Sequence, residues 1–268
     1  MMQDIIVIKT GEDVMESLIK AVLEAGEHVK KGFSEVQDVQ YKSAKDLVTR
    51  YDVETENILK KLIQPLYPEH TIVAEESSKG NEKPEKAIYI DPIDGTTNFV
   101  HSFPFTAISV GVYENDEAVA GVVYNPIMNE LYSAEKGSGA WLNDEQISVS
   151  SNDDTKKSLV ATGFPYSIVE RECTNMLTML GNILKSTRGI RRAGSAALDL
   201  CYTAKGVFDC YYEFNLRPWD VAGGICIVRE AGGTVTGFDG VPHDITGNFI
   251  MASNGVIHGK MLDLIRCP

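Results

Sequence analysis

The chain has 268 residues, 43% of them hydrophobic, and a formal net charge of −13. That is enough apolar material for a large core, in one domain or two closely packed halves. The charge excludes a nucleic-acid protein held by a generally basic surface, but it leaves room for an anionic substrate, because bound divalent cations reverse the local field of an acidic protein. The five cysteines are odd in number, form no C-x-x-C and read as structural thiols of a reducing compartment. The first residues show no basic stretch followed by a long apolar one. No run approaches the ~18 apolar residues of a membrane span, so a cytoplasmic protein is expected.

Helix and strand patterns alternate along the chain. Val14, Leu18, Val22, Ala25 and Val29 recur at helical spacing, with Gly32 as the stop. A second helix is predicted from Thr49 to Ile63, opened by a capping box in which Asp52 replaces the usual Glu or Gln. Thr71 to Ala74 reads as a strand that delivers Glu75 at its tip, and Lys79 to Lys86 as a mobile surface loop able to gate that tip. Ala87 to Ile90 is an apolar strand. Ala107 to Tyr113, Ala118 to Asn125 and Leu131 to Ala134 form an antiparallel meander, and Leu142 to Glu145 is a further turn. The polar run Ser150 to Lys157 marks a boundary between halves 1–150 and 151–268. Beyond it come a strand (Leu159 to Thr162), a helix (about Cys173 to Leu184), a basic strand (Arg188 to Arg192), a helix (Ser195 to Ala204) and a strand (Val207 to Phe214). A helix from about Asp220 to Ala231, two strands after Gly232-Gly233 and a helix from Val256 to Ile265 complete the chain.

Chemistry concentrates in two places. The first is Asp91-Pro92-Ile93-Asp94-Gly95-Thr96-Thr97-Asn98-Phe99, directly after the apolar strand. Carboxylates and backbone carbonyls are the hard ligands that Mg²⁺ takes. Pro92 fixes φ and removes a donor, so a kink there can aim both carboxylates at one point. Gly95 and the Thr pair offer free N–H groups to a phosphate. By itself the same run reads equally well as an Asp-rich turn capping a helix. The second place is Trp219-Asp220, where Asp220 opens an apolar helix. That position suits an acid near a helix N-terminus whether or not it holds a metal. Glu75 and Glu76 are adjacent, so an extended chain points only one of them at a site.

Asp91 to Phe99 and Trp219 to Gly224 resemble the two signatures of the inositol monophosphatase family. Lys42 with Asp46 to Asp52, Gly194 to Ala197, and Tyr211-Tyr212-Glu213 resemble its remaining segments, in the family's order and over most of the chain. The resemblance implies a layered α/β fold, an αβαβα sandwich, a homodimer, inhibition by Li⁺ and two or three Mg²⁺ ions. It implies that Asp91 bridges two metals, that Asp94 and Asp220 hold the second, and that Glu75 and the Ile93 carbonyl hold the first. It assigns Gly95, Thr96 and Lys42 to the phosphate, with Lys45, or a merely solvated lysine, the alternatives to Lys42. Asp52 and Thr96 position the attacking water. Asp94, Ala196, Glu213 and Asp220 face the substrate alcohol. The implied reaction is hydrolysis of a phosphate monoester by a metal-activated water, with inositol 1-phosphate the first substrate. NADP 2′-phosphate, fructose 1,6-bisphosphate and 3′-phosphoadenosine 5′-phosphate are the alternatives. Arg217 is the residue to read a second anionic group, or else a surface ion-pair partner. A separate RNA- or transcription-machinery-binding role would use the basic cluster Lys185, Arg188, Arg191 and Arg192, against the net charge.

Overall fold

The structure is a computed structural model that describes residues 11–35, 39–41, 47–79, 82–164 and 166–266. Lys42, Lys45 and Asp46 lie outside the described residues. In chain order the elements are α1 (Gly11–Phe33), β1 (Val39–Tyr41), β2 (Leu47–Thr49), α2 (Arg50–Ile63), β3 (Thr71–Ala74), β4 (Lys86–Asp94), α3 (Thr96–Val100), β5 (Ala107–Glu114), β6 (Glu117–Asn125), β7 (Glu130–Glu135), β8 (Ala140–Leu142) and β9 (Glu145–Ile147). There follow β10 (Leu159–Thr162), α4 (Tyr166–Ser186), β11 (Gly189–Arg191), α5 (Ala196–Ala204), β12 (Cys210–Phe214), α6 (Pro218–Glu230), β13 (Thr234–Thr236), β14 (Phe249–Ser253) and α7 (His258–Arg266).

These elements stack as five layers. The seven-stranded sheet runs β3-β4-β5-β6-β7-β8-β9 and the five-stranded sheet β11-β10-β12-β14-β13. Strand periodicity decides what lies on each face. Ile88 and Ile90 of β4 point to α1 and α2, whose Leu18, Val22, Leu59 and Ile63 complete one core. Tyr89 points the other way, into a second core with Leu198 of α5 and Ile225 of α6. That core continues into Tyr211 and Ala252 of the five-stranded sheet. Cys210 and Tyr212 face outward, against Ile183 of α4 and Met261 and Ile265 of α7. The order α, β, α, β, α is the sandwich expected.

The central helix α6 lies very close to the sheet. A Cβ at Gly111 of β5 would sit 2.5 Å from Ala222 of α6, and one at Gly121 of β6 would sit 2.5 Å from the Gly223 carbonyl. Only glycine permits that approach.

Local differences from the sequence reading have identifiable causes. α1 runs one residue past Gly32, whose missing Cβ makes room for the Tyr51 ring. α4 starts at Tyr166, because the charged residues before Cys173 are good helix formers and do not break it. β12 begins at Cys210; Val207 and Phe208 instead donate to the Tyr202 carbonyl in the turn after α5. The foot of the 79–86 loop is tied down by Lys83, which reaches Asp244 (2.7 Å) and Asp116 (3.1 Å). Cys201, Cys210 and Cys226 are buried free thiols. No helix among the described residues is long and apolar enough to cross a membrane.

Candidate active site

β4 is buried along its length between parallel β3 and antiparallel β5. Its ladder holds register to Asp91, opposite Ser109, then slips, so that three residues of β4 span two of β5 before Asp94 meets Ala107. Pro92, with no N–H to donate, sits in that bulge, which re-aims the side chains. Asp91 is 2% exposed and its Oδ1 accepts from Ile93 N–H at 3.0 Å. Asp94 Oδ2 accepts from Ser195 Oγ (2.5 Å) and from Ala197 N–H (2.7 Å) at the start of α5.

Gly95 follows with φ +85°, and a Cβ there would lie 3.0 Å from the Gly194 carbonyl and 3.1 Å from the Phe105 carbonyl. Both the backbone sign and the space demand glycine. Asn98 Nδ2 then donates to the carbonyls of Phe105 (2.7 Å) and Ala193 (2.9 Å), clamping the metal-motif loop to the segment that carries Ser195.

The capping box of α2 is complete. Thr49 donates to Asp52 Oδ2 through its N–H (2.8 Å) and its hydroxyl (2.7 Å). Capping occupies only one oxygen, and Oδ1 accepts from Thr96 Oγ1 at 3.1 Å. Thr96 Oγ1 lies equally close, 3.1 Å, to the Ile93 carbonyl. Capping therefore leaves Asp52 Oδ1 to Thr96, and the capping reading does not exclude the functional one.

Glu75 extends the β3 ladder by one bond, its N–H donating to the Ile90 carbonyl at 3.2 Å. The backbone of Glu76 is held instead by Glu56 Oε2 (2.7 Å). Asp220 sits in the first turn of α6, which begins earlier than expected, at Pro218, the preferred proline position. Asp220 Oδ2 accepts the Arg217 N–H at 2.7 Å.

Electrostatics draw these residues into one site. Burial, then the charges of Glu75, Asp94, Asp220 and Asp52, push Asp91 well above the usual carboxylate range. Asp220 is pushed well up by burial and then by Glu75. Burial lifts Asp52 and Asp94 to about 6 each, against the hydrogen bonds that pull them down, and Glu75 adds to both. Glu75 is thus close enough to act on four carboxylates that lie 23 residues before it to 145 after it. Among the described residues no three acidic, histidine or cysteine side chains already close a cage round one point. The donor set nevertheless fits a hard divalent cation: it is all oxygen, and it concentrates like charge that such a cation relieves.

The opposite wall is built by α5 and β12. Ala196 begins α5, and Glu213, half-buried near the end of β12, accepts from Tyr211 Oη at 2.8 Å. Burial pushes Glu213 up to about 7. Arg217 lies at the mouth, exposed, with its N–H on Asp220. The sequence reading missed Asn98 and Asp199 and gave Ser195 no part in holding Asp94. Ser195 did carry a signal, a serine immediately before a helix; its hydroxyl serves both Asp94 and the Leu198 N–H (3.2 Å). We expect Ser195→Ala to raise the Mg²⁺ concentration for half-maximal activity about tenfold, as for other residues that orient metal ligands. An unchanged Mg²⁺ requirement would show that the Ser195 bond is only a helix cap.

The sequence model of the inositol monophosphatase family matches residues 11–267. An inositol-1-monophosphatase of Synechocystis is 42% identical over 92% of this chain and 86% of its own length. A protein named Nus factor SuhB, of Pasteurella multocida, is 38% identical over 92% of this chain and 94% of its own. The crystal structure of the extragenic suppressor protein suhB of Bartonella henselae superposes with a TM-score of 0.88 at 37% identity, covering 95% of this chain and 98% of that one.

Proposed function

The chain belongs to the inositol monophosphatase family and is a phosphomonoesterase, and we propose that it hydrolyses a one-phosphate polyol, inositol 1-phosphate first, in a Mg²⁺-dependent reaction. The observation that carries this reading is the convergence of Glu75, Asp91, Asp94 and Asp220 beside the glycine turn that opens α3. Glu75, Asp91, the Ile93 carbonyl, Asp94 and Asp220 would hold two or three cations. Bound there, such ions neutralise phosphate oxygens and acidify a water.

The chain's own groups supply the positioning. Thr96 has one hydroxyl proton and two acceptors, Asp52 Oδ1 and the Ile93 carbonyl. With the Ile93 carbonyl engaged as a ligand, the proton turns to Asp52, and a Thr96 lone pair is left to orient the attacking water. The N–H groups of Gly95 and Thr96 would serve the phosphate, because the first turn of a helix leaves such groups without intrahelical partners. Lys42 would add a cation to the same phosphate. Ala196 and Glu213 meet the alcohol that leaves.

The deciding experiment is phosphate release, with and without Mg²⁺, from inositol 1-phosphate, NADP, fructose 1,6-bisphosphate and 3′-phosphoadenosine 5′-phosphate. Metal-dependent release led by inositol 1-phosphate supports the reading. A lead by another compound would transfer the substrate assignment to it, and no release from any would sink the reading.

A binding role is favoured by one observation. Lys185, Arg188, Arg191 and Arg192 are exposed together around β11, an edge strand of the five-stranded sheet, and a relative carries the name Nus factor. RNA retention that survives Asp91→Asn and disappears on reversing these four charges is the expected pattern. Retention lost with Asp91→Asn would place it in the metal cleft instead.

A further inference from the structure

We propose that Glu56 is a positioning residue for metal binding: its buried carboxylate, with Lys60, fixes the turn that aims Glu75 into the carboxylate cluster. The inference rests on the metal-dependent reading above. It adds what holds the one proposed side-chain ligand that lies outside the two Asp motifs.

The buried face of α2 carries polar residues where an apolar stripe is the rule. At helical spacing it presents Asp52, Thr55, Glu56, Leu59 and Ile63. Leu59 and Ile63 join the apolar core. Asp52, Thr55 and Glu56 are 0%, 0% and 3% exposed. A carboxylate is kept at such a place only where donors and a counter-charge meet it. Asp52 meets Thr49 and Thr96. Glu56, one turn further on, meets the segment that follows β3: its Oε2 accepts the Glu76 N–H at 2.7 Å.

Glu75 needs that support, because it stands just past the last residue of β3. The turn after it closes on itself: the Ser78 N–H donates to the Ala74 carbonyl (3.0 Å) and Ser78 Oγ accepts the Ala74 N–H (3.0 Å). Those bonds shape the turn without orienting it against the cleft. Two ties from α2 do so. One is Glu56 to the Glu76 N–H; the other is Lys60 Nζ, which donates to Ser77 Oγ at 3.0 Å. Lys60 Nζ also lies 3.5 Å from Glu56 Oε1, so it offsets the buried charge and braces the first tie.

Glu75 therefore has its own N–H on the Ile90 carbonyl of the sheet and the next N–H on α2. With the peptide groups on both sides of its Cα pinned, the direction of its side chain is set. Metal ligands depend on such outer bonds for their orientation. Asp52 and Glu56 also share one helix, whose start is fixed by its capping box. One rigid element thus places both the water-directing carboxylate and the turn that carries Glu75.

The test uses two substitutions of nearly equal shape in the full chain. Glu56→Gln keeps an oxygen to accept the Glu76 N–H, Glu56→Met removes it, and both remove the charge. Mg²⁺ binding is measured by titration calorimetry, beside the Mg²⁺ dependence of phosphate release from inositol 1-phosphate. For Glu56→Met we expect the Mg²⁺ Kd and the Mg²⁺ concentration for half-maximal release to rise about tenfold, the effect typical of residues that orient metal ligands. Its kcat at saturating Mg²⁺ should stay within about threefold. Glu56→Gln should bind Mg²⁺ within about threefold of the wild type. A Met variant that binds Mg²⁺ like the wild type, even with a lowered melting temperature in chelator, would show a purely structural bond and overturn the inference. A Gln variant as weak as the Met variant would overturn it too. If Glu56→Met does not fold, Lys60→Met decides. Lys60 is half-exposed, and its loss should raise the Kd about threefold; an unchanged Kd would sink the inference. A wild type that binds no Mg²⁺ and releases no phosphate would instead remove the metal-dependent reading, and the inference with it.

Discussion

Asp91→Asn is expected to lower metal-dependent phosphate release by at least about 10³-fold while raising the melting temperature of the metal-free protein. The two effects have one cause. Asp91 is buried, and four neighbouring carboxylates raise the cost of its charge. Asparagine keeps the shape, and its amide oxygen can still accept the Ile93 N–H bond that Asp91 Oδ1 accepts now. It removes the charge that folding must bury, so the metal-free variant gains stability, on the order of 5 °C for a chain of this size. The same substitution takes away a carboxylate that, in the proposed function, would hold the cations. Thermal melts in chelator and phosphate release in Mg²⁺ check the pair. A variant that melts well below the wild type in chelator would show that Asp91 is a structural residue of the β4 bulge.

The second large effect is a pH-dependent stabilisation by Mg²⁺. Asp52 and Asp94 titrate at about 6 in the folded protein and Glu213 at about 7, all above their ordinary 3.8 or 4.5. The folded state therefore binds protons more readily than the unfolded chain. The stability these groups contribute is present below their unfolded values and is lost as pH rises through about 6 to 7, on the order of 3 kcal/mol for Asp94. His243 works in the opposite sense. Burial lowers it from 6.5 to about 4, so its contribution is lost as pH falls across that window. It lies outside the metal cleft, so it cancels when Mg²⁺ and chelator are compared at one pH. At Asp94, and at Asp91 and Asp220, which are pushed up as well, cations would compete with protons for the same oxygens. The rise in melting temperature on adding Mg²⁺ should therefore be large near about pH 7.5, shrink near about pH 5.5, and nearly vanish in Asp91→Asn. A rise that is equal or greater at the lower pH would contradict the assignment of Asp91, Asp94 and Asp220 to the metal site.

Much of the site was legible before folding because its chemistry is local. An apolar strand running into Asp91-Pro92-Ile93-Asp94 places a bulge, two carboxylates and a carbonyl within four residues, and β4 ends in that way. Thr49 and Asp52 are three residues apart, and the capping box formed as their spacing required. The meander β5 to β7 and the β8–β9 turn follow from alternation broken by turn residues. Arg217 shows where local reading stops. It is the arginine next to Asp220 in sequence, and its backbone N–H meets Asp220 Oδ2 at 2.7 Å, but spacing alone does not say what its exposed side chain reads.

Residue types and short spacings, by themselves, determined the alternation of helices and strands and the capping of α2, and left the Asp motif open between hard-cation chemistry and a capping turn; the layered α/β class came with the family resemblance. Those depend on backbone geometry and ligand hardness, which operate over a few residues. Tertiary structure alone decided that Glu75 acts on Asp52, Asp91, Asp94 and Asp220 together, that Ser195 holds Asp94 across 101 residues, that Asn98 clamps the two loops, and that Asp199 is buried beside the charges of Glu213 and Asp94. Burial and Coulomb interaction depend on distance in space, and the packing of α5 and α6 between two sheets brings together groups that the chain keeps far apart.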